Sequence, residues 1–119
     1  MAQYTDKNGT AVTVDHDDAL TAFVVREENG EYAGKAAFRD REDARIFFHT
    51  EVDERFGGRG LGTALVRGAL EATRAEGVVI VPVCPLVKAF LDKNGDEFAG
   101  AWRKPSPDDL AAVRAGGGS

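Results

Sequence analysis

Residues 55–62 read Arg-Phe-Gly-Gly-Arg-Gly-Leu-Gly. Gly57, Gly58, Gly60 and Gly62 leave a backbone bare enough to lie directly against a ligand. Leu61 opens a helical pattern, and a helix start carries unpaired N–H groups with about half a positive charge. Such a loop suits a phosphate or pyrophosphate. Arg55 and Arg59 can add charge-assisted hydrogen bonds. The plain alternative is a tight strand-to-helix turn with no ligand. Two phosphate motifs are excluded. A Walker A loop needs Gly-Lys-Ser/Thr, and here Gly62 is followed by Thr63-Ala64. A dinucleotide fingerprint would place its third glycine at Thr63 and an acidic residue where Ile80-Val81-Pro82 stands.

Two side chains elsewhere can do chemistry. Cys84 precedes Pro85, a residue suited to the first helical position because its missing N–H is not needed there. Cys84 is therefore an expected helix N-cap, and helix N-termini favour thiolates. The plain alternative is a small buried hydrophobe. His49 lies on an expected strand with Phe47 and Glu51 on its face, and histidine is suited to general-base work near neutral pH. Glu51 is a second candidate base. His16, within Asp15-His16-Asp17-Asp18, reads as a charged turn and not as a metal site, since nothing in its spacing converges on an ion. No metal is expected.

The elements that must hold these groups follow from pattern. Met1 to Gly9 reads as a frayed lead, and Ala11–Val14 as a short strand cut by the charged turn. Leu20–Arg26 and Tyr32–Phe38 read as strands joined by an Asn29-Gly30 hairpin turn. Asp40 to Asp43 is a tight connection. Ala44–Val52 is a third strand, apolar on both faces in its middle and hence expected to be central. Leu61–Glu76 reads as a helix with Leu61, Leu65, Ala69 and Ala72 on one face and Arg67, Glu71 and Arg74 on the other, with Gly77 as its C-terminal cap. A buried strand, Val78–Val83, and a helix from Pro85 to about Asn94-Gly95 follow. The order is that of an α/β domain with a mixed, mostly antiparallel sheet flanked by helices, not a doubly wound one.

Length and charge set the outer limits. At 119 residues the chain is one domain, expected over 1–104 with a flexible tail at 105–119. A net charge of −5 argues against nucleic-acid or anionic-membrane partners. No apolar run is long enough to span a bilayer or to serve as a signal peptide, so the expected location is cytoplasmic. A lone cysteine excludes an internal disulfide. A monomer or weak dimer is expected.

Three stretches taken in order carry a family resemblance: His49-Thr50-Glu51-Val52, Gly58-Arg59-Gly60-Leu61-Gly62, and Val81-Pro82-Val83-Cys84-Pro85-Leu86-Val87. The sequence resembles the small Yjdj-type GNAT-like N-acetyltransferases. The resemblance implies a reduced GNAT fold, acetyl-CoA as cosubstrate and a primary amine, small-molecule or protein, as acceptor. It implies that the loop amides with Arg59 hold the pyrophosphate and that the pantetheine runs along the strand ending at Val52. Cys84 would accept the acyl group or donate a proton to the departing thiol. Two departures stand out: Gly57 replaces the usual Arg or Gln that opens the loop, and Leu91 stands where typical members carry a tyrosine. A non-catalytic acyl-CoA-binding or sensing module is the alternative function, and a plain interaction domain is a third.

Overall fold

A computed structural model describes residues 2–58 and 60–115. The expectations for Arg59 and for the glycines at 116–118 lie outside the described residues. Six strands stand in one sheet in chain order: β1 (Ala2–Thr5), β2 (Ala11–Asp17), β3 (Ala22–Glu27), β4 (Tyr32–Arg41), β5 (Ala44–Val52) and β6 (Val79–Pro82). The first five pair antiparallel through short turns. β6 pairs parallel with β5, which requires a crossover, supplied by α1 (Leu61–Ala75). Then come α2 (Pro85–Asn94) and α3 (Pro107–Ala115). This is the mixed, mostly antiparallel α/β architecture expected from the sequence.

Three local expectations need correction. Residues 2–5 are not a frayed lead: they pair with β2, and Tyr4 donates a hydrogen bond to Glu71 Oε1 on α1 at 2.5 Å. The Tyr4 contact spans 67 residues and leaves no mark on local pattern. Asp15-His16-Asp17 is strand, not turn. His16 pairs with Phe23 and sets its ring 5.1 Å from that of Phe23 and 5.2 Å from that of Phe38, so aromatic packing overrides the polar composition. β4 runs on to Arg41, which leaves only Glu42-Asp43 as the turn.

The core lies between the sheet and α1. Val12, Phe23, Val25, Phe38 and Phe47 meet Leu61, Leu65 and Ala69, all essentially buried. α1 comes so close to β2 at Gly68 that a Cβ there would sit 2.8 Å from the Val14 side chain. Arg45 is buried on this side. It bonds Asp40 at 2.8 Å and Glu76 at 3.0 Å, with its guanidinium 4.5 Å over the Phe38 ring. It thereby ties β5 to the far end of α1.

The opposite face of the sheet carries a smaller cluster, Ala44, Ile46 and Val81, covered by Ala112 and Val113 of α3. Asp109 anchors that helix. Its carboxylate is fully buried and meets Arg103 at 2.6 Å and Arg41 at 3.1 Å, and accepts the Ser106 N–H. No helix among the described residues is long and apolar enough to cross a membrane.

The bond to Arg103 holds the Asp109 carboxyl well below the usual carboxylate range. Its stabilisation is therefore complete above the unfolded-state value near 3.8 and is lost as pH falls through the lower folded value. Asp109→Asn is expected to cost about 1–3 kcal/mol at neutral pH, since both arginines are partly solvated. In urea titrations at a series of pH values, the deficit against wild type should shrink below about pH 4.

Candidate functional site

The glycine loop is built from its flanks inward. Asp53 caps a 3₁₀ turn, Glu54–Phe56, by accepting the Arg55 N–H at 2.9 Å, and Phe56 is buried beneath it. Gly57 is extended, while Gly58 (φ 79°) and Gly60 (φ 73°) are left-handed, a conformation that favours glycine. Gly60 is the N-cap of α1, and no side chain caps the helix. The first-turn amides from Leu61 onward therefore start the helix without a side-chain acceptor, as an anion site requires. The Leu61 side chain points into the core, so only its backbone is available to a ligand. At Gly62 the helix start closes on two other elements. A Cβ there would lie 3.5 Å from Leu86 of α2 and 3.8 Å from Val52 at the end of β5.

The cations near the loop are not those expected. Arg55 is already engaged, with Glu31 at 2.9 Å and Asp53 at 3.2 Å, and its guanidinium lies over Phe56. Lys7, from the turn between β1 and β2, packs its stem against Gly60, 3.1 Å from where a Cβ would be. A cavity of about 430 Å³ beside the loop is lined by Lys7, Gly60, Thr63 and Arg67. Lys7 was missed because residues 1–9 carry no local signal of their own.

The second half of the site is a fork. β5 and β6 pair from Ala44↔Val79 to Phe47↔Pro82 and then part. The Phe47 carbonyl accepts the N–H groups of both Val83 (3.0 Å) and Cys84 (2.8 Å). β5 continues to Val52 with no strand on that side, while the other arm turns into α2. In the throat, Cys84 Sγ lies 3.2 Å from Thr50 Oγ1. Cys84 is the N-cap of α2, as expected, and is buried. Thr50 is a neighbour that no spacing could reveal, since the contact spans 34 residues and depends on the parallel pairing.

A β-bulge decides which side chains share a face. Adjacent Ala37 and Phe38 oppose His49 and Phe47, so Phe48 is an extra residue in β5. Cross-strand partners share a face. Phe47 and Thr50 go with Phe38 and Ala36 to the α1 side, and His49 goes with Ala37 to the other. The expectation that Phe47 shares the face of His49 is corrected by this one-residue insertion. His49 is half-exposed. Its Nε2 lies 3.5 Å from Glu51 Oε1, an oxygen that Lys35 Nζ also approaches at 3.8 Å. The structure thus brings Cys84 to Thr50 and His49 to Glu51, on opposite faces of one strand, and does not bring Cys84 and His49 together. Leu91 is buried in the core.

An open-edged strand thus lies beside a helix start that no side chain caps, in a mixed α/β sheet. A family model described as GCN5-related N-acetyl-transferase matches residues 22–100, and the chain belongs to that family. Its fold is similar to the solution structure of a GCN5-like protein from Staphylococcus aureus, with a TM-score of 0.58 and 19% identity over 80% of this chain and 91% of that one. Curated protein sequences give no match.

The tail of β5 depends on a close approach by β4. A Cβ on Gly34 would fall 2.5 Å from the Glu51 carbonyl oxygen and 3.0 Å from Val52 Cα. Backbone cannot swing aside as a side chain can, so Gly34→Ala is expected to displace the end of β5. The expected readout is amide chemical-shift change concentrated in residues 48–52, with a stability loss of about 1–3 kcal/mol.

Proposed function

We propose that this chain is an acetyl-CoA-dependent N-acetyltransferase of the small Yjdj type, acting on a primary amine. The observation that carries the reading is the convergence of three features: the uncapped start of α1, the unpaired edge of β5 at 48–52, and Cys84 in the throat of the fork. The amides from Gly58 to Gly62 suit a diphosphate. Arg59, expected to join them, lies outside the described residues. Lys7 stands near enough to add positive charge. The edge of β5 suits an amide-bearing arm, which can hydrogen-bond to strand backbone as another strand would.

The two faces of β5 divide the chemistry. His49, braced by Glu51, accepts the proton that the amine sheds as its nitrogen bonds to the thioester carbonyl carbon. The C–S bond then breaks, and Cys84 supplies a proton to the departing thiolate from the opposite side. Thr50 is placed to hydrogen-bond the cysteine sulfur. Separation of Cys84 from His49 favours direct transfer over an acyl-cysteine route, because no base among the described residues is seated at the thiol. Positioning supplies much of the rate, since the thioester is already activated.

A second reading, a non-catalytic acyl-CoA-binding module, draws on Leu91 and on the prior engagement of Arg55 by two carboxylates. Calorimetry with acetyl-CoA and a thiol-release assay across an amine panel separate the two. Wild type should bind saturably and release thiol only with an amine. Gly60→Glu should abolish binding by setting a carboxylate at the anion site. A wild-type protein indifferent to millimolar acetyl-CoA removes both readings, while binding without turnover leaves the module.

His49→Gln should lower kcat by about 10²-fold, the lower end for a general base, because His49 is half-solvated. Cys84→Ala should slow turnover while intact-protein mass spectrometry of wild type shows no acetyl adduct. An adduct on Cys84 would reverse the order of steps given above.

A further inference from the structure

On the other side of β6 from the fork lies a cavity of about 420 Å³, within the range of about 300–1,000 Å³ typical of small-molecule sites. Three elements wall it. α2 contributes Lys88, Leu91 and Asp92, which share a face at i, i+3 and i+4. The segment after the Ile80–Trp102 bridge contributes Trp102 and Lys104, and α3 contributes Leu110. Val83, whose N–H is bonded at the fork, also lines the groove.

Two features of this groove bear on what it could hold. Leu110 is one of only three large hydrophobic side chains exposed among the described residues, and it lines the cavity. The charged groups on the rim are also unspent. Arg41, Arg45, Arg55, Arg67 and Arg103 all hold carboxylates. The Lys104 carbonyl accepts from the Arg103 guanidinium at 3.3 Å, while the side chains of Lys88, Asp92 and Lys104 form no hydrogen bond or ion pair with any described side chain. Two ammonium groups against one carboxylate leave an excess of one positive charge over an apolar floor, in a chain whose net charge is −5.

We propose that this groove binds an amphipathic monocarboxylate, its apolar body against Trp102 and Leu110 and its carboxylate between Lys88 and Lys104. Excess charge selects the anion, and the aromatic and aliphatic walls select an apolar body over a hydrophilic one. The site shares no residue with the glycine loop or with His49, Thr50 and Cys84, and it stands whether or not the chain transfers acetyl groups.

Trp102, the single tryptophan of the chain, gives the groove a private reporter. Full-length protein is titrated with sodium octanoate, with octylamine and leucine as charge controls, and followed by tryptophan fluorescence and by ¹H–¹⁵N spectra. Octanoate should saturate, shifting the Trp102 indole and the amides of Val83 and Leu91. Octylamine and leucine should bind at least about tenfold more weakly. Lys88→Gln and Lys104→Gln should each weaken octanoate about tenfold, and Leu110→Glu should remove binding, while thiol release with acetyl-CoA is unchanged in all three. Leu110 and both lysines are exposed, so these variants should fold. Three outcomes overturn the proposal: no saturable response in either spectrum, octylamine binding as tightly as octanoate, or shifts centred on Gly62 and Leu86.

Discussion

The site exists because a β-ladder stalls. Val79 and Val83 give their N–H groups to the β5 side, at Asp43 and Phe47, while Ile80 gives its own to Ala101, so Pro82, two residues on, has its missing N–H on the side away from β5, and Pro85 is suited to begin a helix. Between them, Val83 and Cys84 direct both of their N–H groups at one acceptor, the Phe47 carbonyl. A ladder that spends two donors on one oxygen cannot advance to the next residue. β6 must leave the sheet there, and the second proline starts α2 at once. β5 has no such obstacle and continues to Val52 because β4 still pairs with it. The fork, the free edge and the placement of Cys84 are consequences of that mismatch between two neighbouring strands.

The ends of β5 are held by different means. At its start, Arg45 is buried and bonded to Asp40 and Glu76, which locks the strand to α1. At its far end there is little side-chain packing and much bare backbone. Gly34 lets β4 come close, and Gly62 lets α1 and α2 come close. Rigid anchoring at one end and sparse cover at the other suit a strand whose exposed end receives a ligand. Burying a charge is costly unless it is fully paired, and Arg45 meets that condition.

The bulge at Phe48 gives the strand its two chemical faces. Without the extra residue, parity would place His49 with Phe47 on the α1 side. With it, His49, Glu51 and Lys35 face away from the helices, and Thr50 meets Cys84 on the helix side. One face then offers a proton acceptor open to solvent, and the other a dry thiol.

Much of this was legible in the residues alone. Asn29-Gly30, Gly77, Pro85 and the Leu61–Ala72 stripe act over a few positions, and each fixed a turn, a cap or a face where expected, because backbone preference and helical period are local properties. The glycine loop and its place before a helix were equally plain. What tertiary structure alone decided are the pairings across distance: residues 2–5 as a strand, Lys7 against Gly60, Arg55 held by Glu31, and Cys84 beside Thr50. The parity of β5 belongs with these, since one inserted residue reverses every face beyond it and a bulge is defined only against a partner strand. Local pattern carries no record of what a side chain will meet once the chain has closed on itself.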